Sequence, residues 1–230
     1  MAIIKLDNIK AVFINLDERK DRRKYMEAML SKLPLEYERF SGVRPRLDQL
    51  LQEDGQYRHL YNKCVPRIKQ YLLDERRLPR GLGVIGCYIS HFEVISMASW
   101  SPKHLLLLED DCCFGLDSLE RLCEAANSIS DWHMLRSTYE AEEERLLQPA
   151  AFVSPNFQSK HATKYKNPNQ IHGGSHFSLI RADKIREIVT YLEDEYLYNI
   201  DSIYSTNVMR VYVGSFGVGV AGFSTNIPKL

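Results

Sequence analysis

The chain carries no excess of charge of either sign, no CxxC cysteine pair and no leader pattern. Thirty Lys and Arg balance thirty Asp and Glu, so nothing pulls the chain toward nucleic acid. The five cysteines, at positions 64, 87, 112, 113 and 123, are odd in number and form no CxxC. That argues against a zinc ribbon or a thioredoxin motif, and the five read as reduced thiols of a cytoplasmic protein. The opening MAIIKLDNIK lacks the charged-then-apolar layout of a signal peptide. No apolar run approaches the roughly 20 residues that cross a bilayer. There is no internal repeat and no low-complexity tract. The glycines of SFGVGVAGF (215–223) do not spell GxGxxG between a strand and a helix, so they read as turns rather than a phosphate cradle.

What is present is an ordinary globular composition. Of 230 residues, 44% are hydrophobic and 26% charged, enough for one domain with a sizeable core. KAVFINLD (10–17) reads as a first strand. ERKDRRKYMEAMLSKL (18–33) is an amphipathic helix stopped by Pro34, and EYERFSGV (36–43) is a second strand. Residues 44–80, broken by Pro45, Pro66 and Pro79, suggest short helices inserted over a sheet. GLGVIGCYISHFEVISMASW (81–100) is a helix and HLLLLEDD (104–111) a core strand. LDSLERLCEAANSIS (116–130) is a helix with Asp117 as its expected N-cap. WHMLRST (132–138), SHFSLIRA (175–182) and NVMRVYVG (207–214) are further strands, and DKIREIVTYLEDEY (183–196) is a last helix. The polar stretch 139–174 has the make-up of a binding loop. The pattern is α/β: one domain with a mostly parallel, Rossmann-like sheet flanked by helices.

The sharpest feature is LLLLEDDCCF (105–114), where four leucines run straight into three acids. A short apolar run between turn signals reads as a strand buried on both faces. Glu109, Asp110 and Asp111 then stand where that strand leaves the core. Three carboxylates there repel one another and lose hydration, so something positive belongs beside them. A divalent cation is the obvious candidate, since a carboxylate cluster suits Mn²⁺ or Mg²⁺, and the other reading is a solvated loop with three surface acids. If the extended backbone continues, Glu109 and Asp111 share one side and Asp110 faces the other, fixed by backbone amides or a basic neighbour. Asn15 and Asp17 end the first strand. An amide and a carboxylate there can bind a base edge or ribose hydroxyls, or simply cap the next helix. Ser90 and His91 are adjacent on a helix and cannot work as a Ser/His couple. Cys87 and His91 are four apart and can share a metal, but two ligands do not make a zinc site. His172 and His176 flank GGS, where either can complete a metal site or bind phosphate.

Five stretches, FINLDERKDRR, GVIGCYISHFEVI, LLLLEDD, GSHFSLI and NID, occur in an order and spacing that resembles glycosyltransferase family 25, which includes lipooligosaccharide and collagen galactosyltransferases. The chain departs at Val84, where the family usually has Glu, and at SGVR. The resemblance implies a GT-A-type fold: a single glycosyltransferase domain over 1–230, with donor and metal in the N-terminal half and acceptor in the C-terminal half. It implies metal-dependent, inverting transfer of a galactose or glucose from a UDP-sugar to a hydroxyl of a glycan or glycolipid acceptor, as in lipopolysaccharide biosynthesis. A lipid-linked acceptor would bring peripheral membrane contact. On that reading Asp111 and His176 are metal ligands. Asn15, Asp17, Ser90, His91, Glu109 and Asp110 serve the donor. Asp201, in YNIDSIY between Ile200 and Ile203, is the general base, where partial burial would raise a carboxylate's basicity. The competing readings are a non-catalytic nucleotide- or glycan-binding relative, and another metal-dependent phosphate-ester enzyme.

Overall fold

The structure, a computed structural model, describes residues 3–138, 173–204, 209–214 and 216–222. Six strands form the central sheet: β1 (Ile9–Asn15), β2 (Glu36–Ser41), β3 (His104–Glu109), β5 (Met134–Thr138), β6 (Gly173–Ile180) and β7 (Val211–Gly214). Their spatial order is β2-β1-β3-β6-β5-β7. β1 is parallel to β2 and β3, and β5 is parallel to β7. Only β6 runs against its neighbours. The sheet is therefore mostly parallel, as expected, with one reversed strand inside it. Five C-terminal strand ends share one edge, the edge where open α/β sheets bind ligands.

Alternation along the strands sorts the core into two layers. Leu106, Leu108, Ala11, Phe13, Leu135 and Phe177 pack with Met26 and Leu30 of α1 (Lys20–Leu30) and with Leu119 and Leu122 of α6 (Leu116–Ser128). Leu105, Leu107, Val12 and Met134 face the other way. There they meet α5 (Leu78–Ala98), α7 (Ile185–Asp194) and α8 (Ile200–Ile203), with α2 (Leu47–Leu51), α3 (Arg58–Lys63) and α4 (Pro66–Leu73) beyond them. Both faces of β3 are covered, which is why its four leucines need no polar alternation.

Three expectations change. α5 begins at Leu78 rather than 81, with Pro79 in its first turn, where a missing N–H costs nothing. Its 21 residues are long and apolar enough to cross a bilayer, yet half of that length is buried in this fold. It is the central packing helix. α6 starts at Leu116, so Gly115, not Asp117, is its N-cap; Asp117 sits in the first turn, where it still favours the helix dipole. A short ladder joins β4 (Cys112–Cys113) to β8 (Gly219–Val220), and the Ala221 N–H donates to the Asp111 carbonyl at 2.7 Å. The glycine-rich end thus folds back on the acidic turn, with Gly217 at φ 71° making the bend. The polar stretch 139–172, including His172, lies outside the described residues.

Candidate functional site

The three acids stand at the C-terminal edge of the sheet, and they part company there. β3 ends at Glu109, and the chain turns through Asp110 and Asp111. Strand alternation therefore stops one residue too early to carry Asp111 back to the side of Glu109. Glu109 continues the face of Leu105 and Leu107, toward α5. Asp110 and Asp111 both turn to α1, where Arg22 holds them. Its Nη1 donates to Asp110 Oδ1 at 2.7 Å and to Asp111 Oδ2 at 3.2 Å. The positive group that the sequence calls for is thus supplied, in part, by the chain itself.

Asn15 completes this α1-side cluster. It is 1% exposed, and its Nδ2 donates to Asp110 Oδ2 at 2.7 Å and to the Arg19 carbonyl at 3.1 Å. Arg39 of β2 donates to Asn15 Oδ1 at 3.0 Å and also grips Asp17. Asp17 accepts from the Ser41 hydroxyl as well, and the Arg39 contact holds its carboxyl below the usual range. Asp17 is well exposed and Asn15 is not. Asp17 therefore offers its carboxylate at the surface of this edge, while Asn15 positions Asp110.

Asp111 fits a cation. Burial, reinforced by the neighbouring Glu109 charge, pushes its carboxyl above the usual range in spite of Arg22. A desolvated carboxylate beside two others is stabilised by a divalent ion, and one Asp111 oxygen and the partly exposed Glu109 are oxygen donors of the right kind.

On the α5 side, the His91 ring is 1% exposed. Its Nδ1 lies 2.9 Å from the Tyr204 hydroxyl and its Nε2 3.3 Å from Glu109 Oε1. Cys87 lies one helical turn before His91 on α5. Ligand atoms of Cys87, His91 and Glu109 all fall within 4.8 Å of one another. His176 joins this side rather than Asp111. Phe177 pairs with Leu108 in the sheet, which places His176 beside the level of Glu109, and burial lowers its pKa while the Glu109 charge opposes that shift. Arg136 of β5 is fully buried on the same face and donates from Nη2 to Asp201 Oδ1 at 2.9 Å.

Two expectations need correcting. The Asp201 side chain is 53% exposed; Ile200 and Ile203 of α8 are buried, but they turn Asp201 outward. The burial on which its role was argued is absent, and an Arg136 contact takes its place. Ser90 is committed elsewhere. Its hydroxyl donates to the Gly86 carbonyl at 2.7 Å and accepts the Val43 N–H at 2.8 Å, clamping the segment after β2 onto α5. Residues that the sequence reading passed over or treated lightly are Arg22, Arg39, Cys87, Arg136 and Tyr204. Arg136 had a signal. In WHMLRST it shares a strand face with Met134, and a charge at such a position must be paired.

The model of glycosyltransferase family 25, described as an LPS biosynthesis protein family, matches residues 8–203. The chain belongs to glycosyltransferase family 25. A relative from Aedes aegypti, named "Glycosyltransferase 25 family member", is 30% identical over 126 residues, covering 53% of this chain. Those residues amount to 20% of the relative, so the chain spans only a fraction of that protein's length. The family match spans the polar residues from Asn15 to Asp201 and stops one residue before Tyr204.

Proposed function

We propose that this family 25 domain is a metal-dependent, inverting glycosyltransferase of the cytoplasm, moving a galactose or glucose from a UDP-sugar to a hydroxyl of a glycan or glycolipid acceptor. The observation that carries this reading is the acid-rich edge of the sheet. There Asp111, desolvated and next to Glu109, projects beside a buried scaffold of Asn15, Asp110 and Arg22. Asp111 would hold Mn²⁺ or Mg²⁺, with Glu109 reaching toward the ribose or a metal-bound water. The cation, when bound, offsets the charge of the departing diphosphate.

The chain's own residues do the rest. Asp17, at the exposed end of β1, receives ribose or base hydrogen bonds. Arg22 holds Asp110 and Asp111 in place. His91, fixed by Tyr204, orients Glu109. Asp201 takes the acceptor proton: its exposure gives it access to an incoming hydroxyl, and Arg136 fixes its direction. A lipid-linked acceptor would place the domain at a membrane surface.

Calorimetry of UDP binding tests the metal assignment. UDP affinity should rise on adding Mn²⁺ to the parent protein, and Asp111→Asn should lose that gain while still unfolding cooperatively. Unchanged Mn²⁺-assisted affinity in Asp111→Asn removes Asp111 from the site.

A further inference from the structure

Cys87 and His91 bring to Glu109 a thiol and an imidazole that the transfer reaction does not call for as metal ligands. A thiol, an imidazole and a carboxylate suit a thiophilic ion, not the hard cation suited to Asp111. We propose that these three residues form a second metal site, which takes Zn²⁺ or a cation of the same class.

The geometry supports three-point coordination. Cys87 and His91 are four residues apart on α5, which puts both side chains on one helical face. Glu109 comes from the end of β3, and the His91 Nε2 to Glu109 Oε1 distance is 3.3 Å. In a tetrahedral zinc site with bonds of about 2.0–2.3 Å, ligand atoms lie roughly 3.3–3.8 Å apart. The three atoms here are within 4.8 Å of one another. Side-chain adjustments of about 1 Å therefore close the triangle. Three protein ligands with a fourth position left to solvent is an arrangement zinc adopts outside purely structural sites.

Tyr204 supplies the outer partner that a metal-bound histidine needs. Its hydroxyl lies 2.9 Å from His91 Nδ1, which fixes the buried ring with Nε2 toward Glu109. Without metal, an Nε2–H donates to Glu109 and Nδ1 accepts from Tyr204. With metal, Nε2 becomes the ligand, and Nδ1–H donates to the Tyr204 oxygen. Cys87 enters as a thiol, because burial and the Glu109 charge push its pKa well up. On binding, the S–H bond breaks, the S–Zn bond forms and one proton leaves to solvent. Affinity should therefore climb by about tenfold per pH unit while the free thiol stays protonated.

The inference stands apart from the proposed transfer reaction, since its readout is an absorption band and not turnover. Co²⁺ is titrated into the metal-free full chain as a spectroscopic substitute for Zn²⁺. The expected result is one equivalent per chain with a thiolate-to-cobalt charge-transfer band that Zn²⁺ abolishes. Cys87→Ser should lose the band, and Tyr204→Phe should weaken binding by about tenfold. Asp111→Asn should keep both band and affinity. His91→Gln is the second ligand variant, should Cys87→Ser fail to fold. No thiolate band in the parent, a band that survives Cys87→Ser, or unchanged affinity in His91→Gln overturns the proposal.

Discussion

The two sides of the sheet's C-terminal edge solve one problem in different ways. Toward α1, the charges of Asp110 and Asp111 are answered by Arg22 and by the Asn15 amide. It is a tight electrostatic cluster whose parts come from β1, α1 and the turn after β3. Toward α5, Glu109 meets His91, Tyr204 and Cys87, groups that donate or accept hydrogen bonds but add little fixed charge. Among the described residues, positive charge on that side comes from Arg136, which donates to Asp201. The α1 side grips its carboxylates with a guanidinium and an amide. The α5 side orients its carboxylate with a buried imidazole fixed by a tyrosine hydroxyl. The difference follows from a single backbone event, the end of β3 at Glu109, which sends one acid to each environment before the turn carries the third after the second.

The contrast breaks most visibly at Asp201. If the α5 side performs the proton transfer, Asp201→Asn keeps UDP-sugar binding and loses transfer by roughly 100-fold or more, and the parent's product is the β-linked anomer. Transfer within a few-fold of the parent excludes Asp201, and an α-linked product excludes inversion.

The next effect is on stability. Arg22→Met leaves the mostly buried Asp110 without its cation, and urea unfolding should show a loss of about 3 kcal/mol. A loss below about 1 kcal/mol would mean the α1 cluster behaves like an exposed ion pair. Gly86→Ala probes the α5 side. A methyl there collides with the Val43 carbonyl and presses on Pro45, so about 2 kcal/mol should be lost through overpacking. A variant as stable as the parent would show that the clamp made by Ser90 and Val43 gives way easily.

The smallest effect is in pH. Burial holds the folded pKa of His176 below its ordinary 6.5. Below 6.5 the unfolded chain takes up the proton first, so unfolding becomes easier as pH falls from that value to the folded one, and no further beyond it. The parent should therefore lose stability as the pH falls below 6.5, and His176→Gln should lose less. Identical pH profiles would mean His176 is not buried as neutral imidazole in the native state.

Much of this was legible before folding. The leucine run in front of three acids marks a doubly buried strand, because no half-exposed strand can be apolar at every position. That alone locates the ligand edge of the sheet. The helices at 18–33 and 116–130 follow from their 3.6-residue periodicity, and α1 and α6 occupy those stretches with trimmed ends. The pairing of Asp110 with a basic neighbour was also within reach, since a buried carboxylate needs one. The burial of Asp201 was misjudged because apolar neighbours in a short helix bury themselves and turn the residue between them outward.

By itself, the sequence determined the α/β alternation, the membership in family 25 and the presence of a carboxylate cluster at a strand end, because periodicity and residue chemistry are local properties. Only the tertiary structure decided which partner each acid receives. Arg22 is 88 residues from Asp110, and Tyr204 is 113 from His91. Such distant groups meet only when the sheet order and the strand's stopping point are fixed, and where β3 stops is set by hydrogen-bond partners on β1 and β6 that no local pattern records.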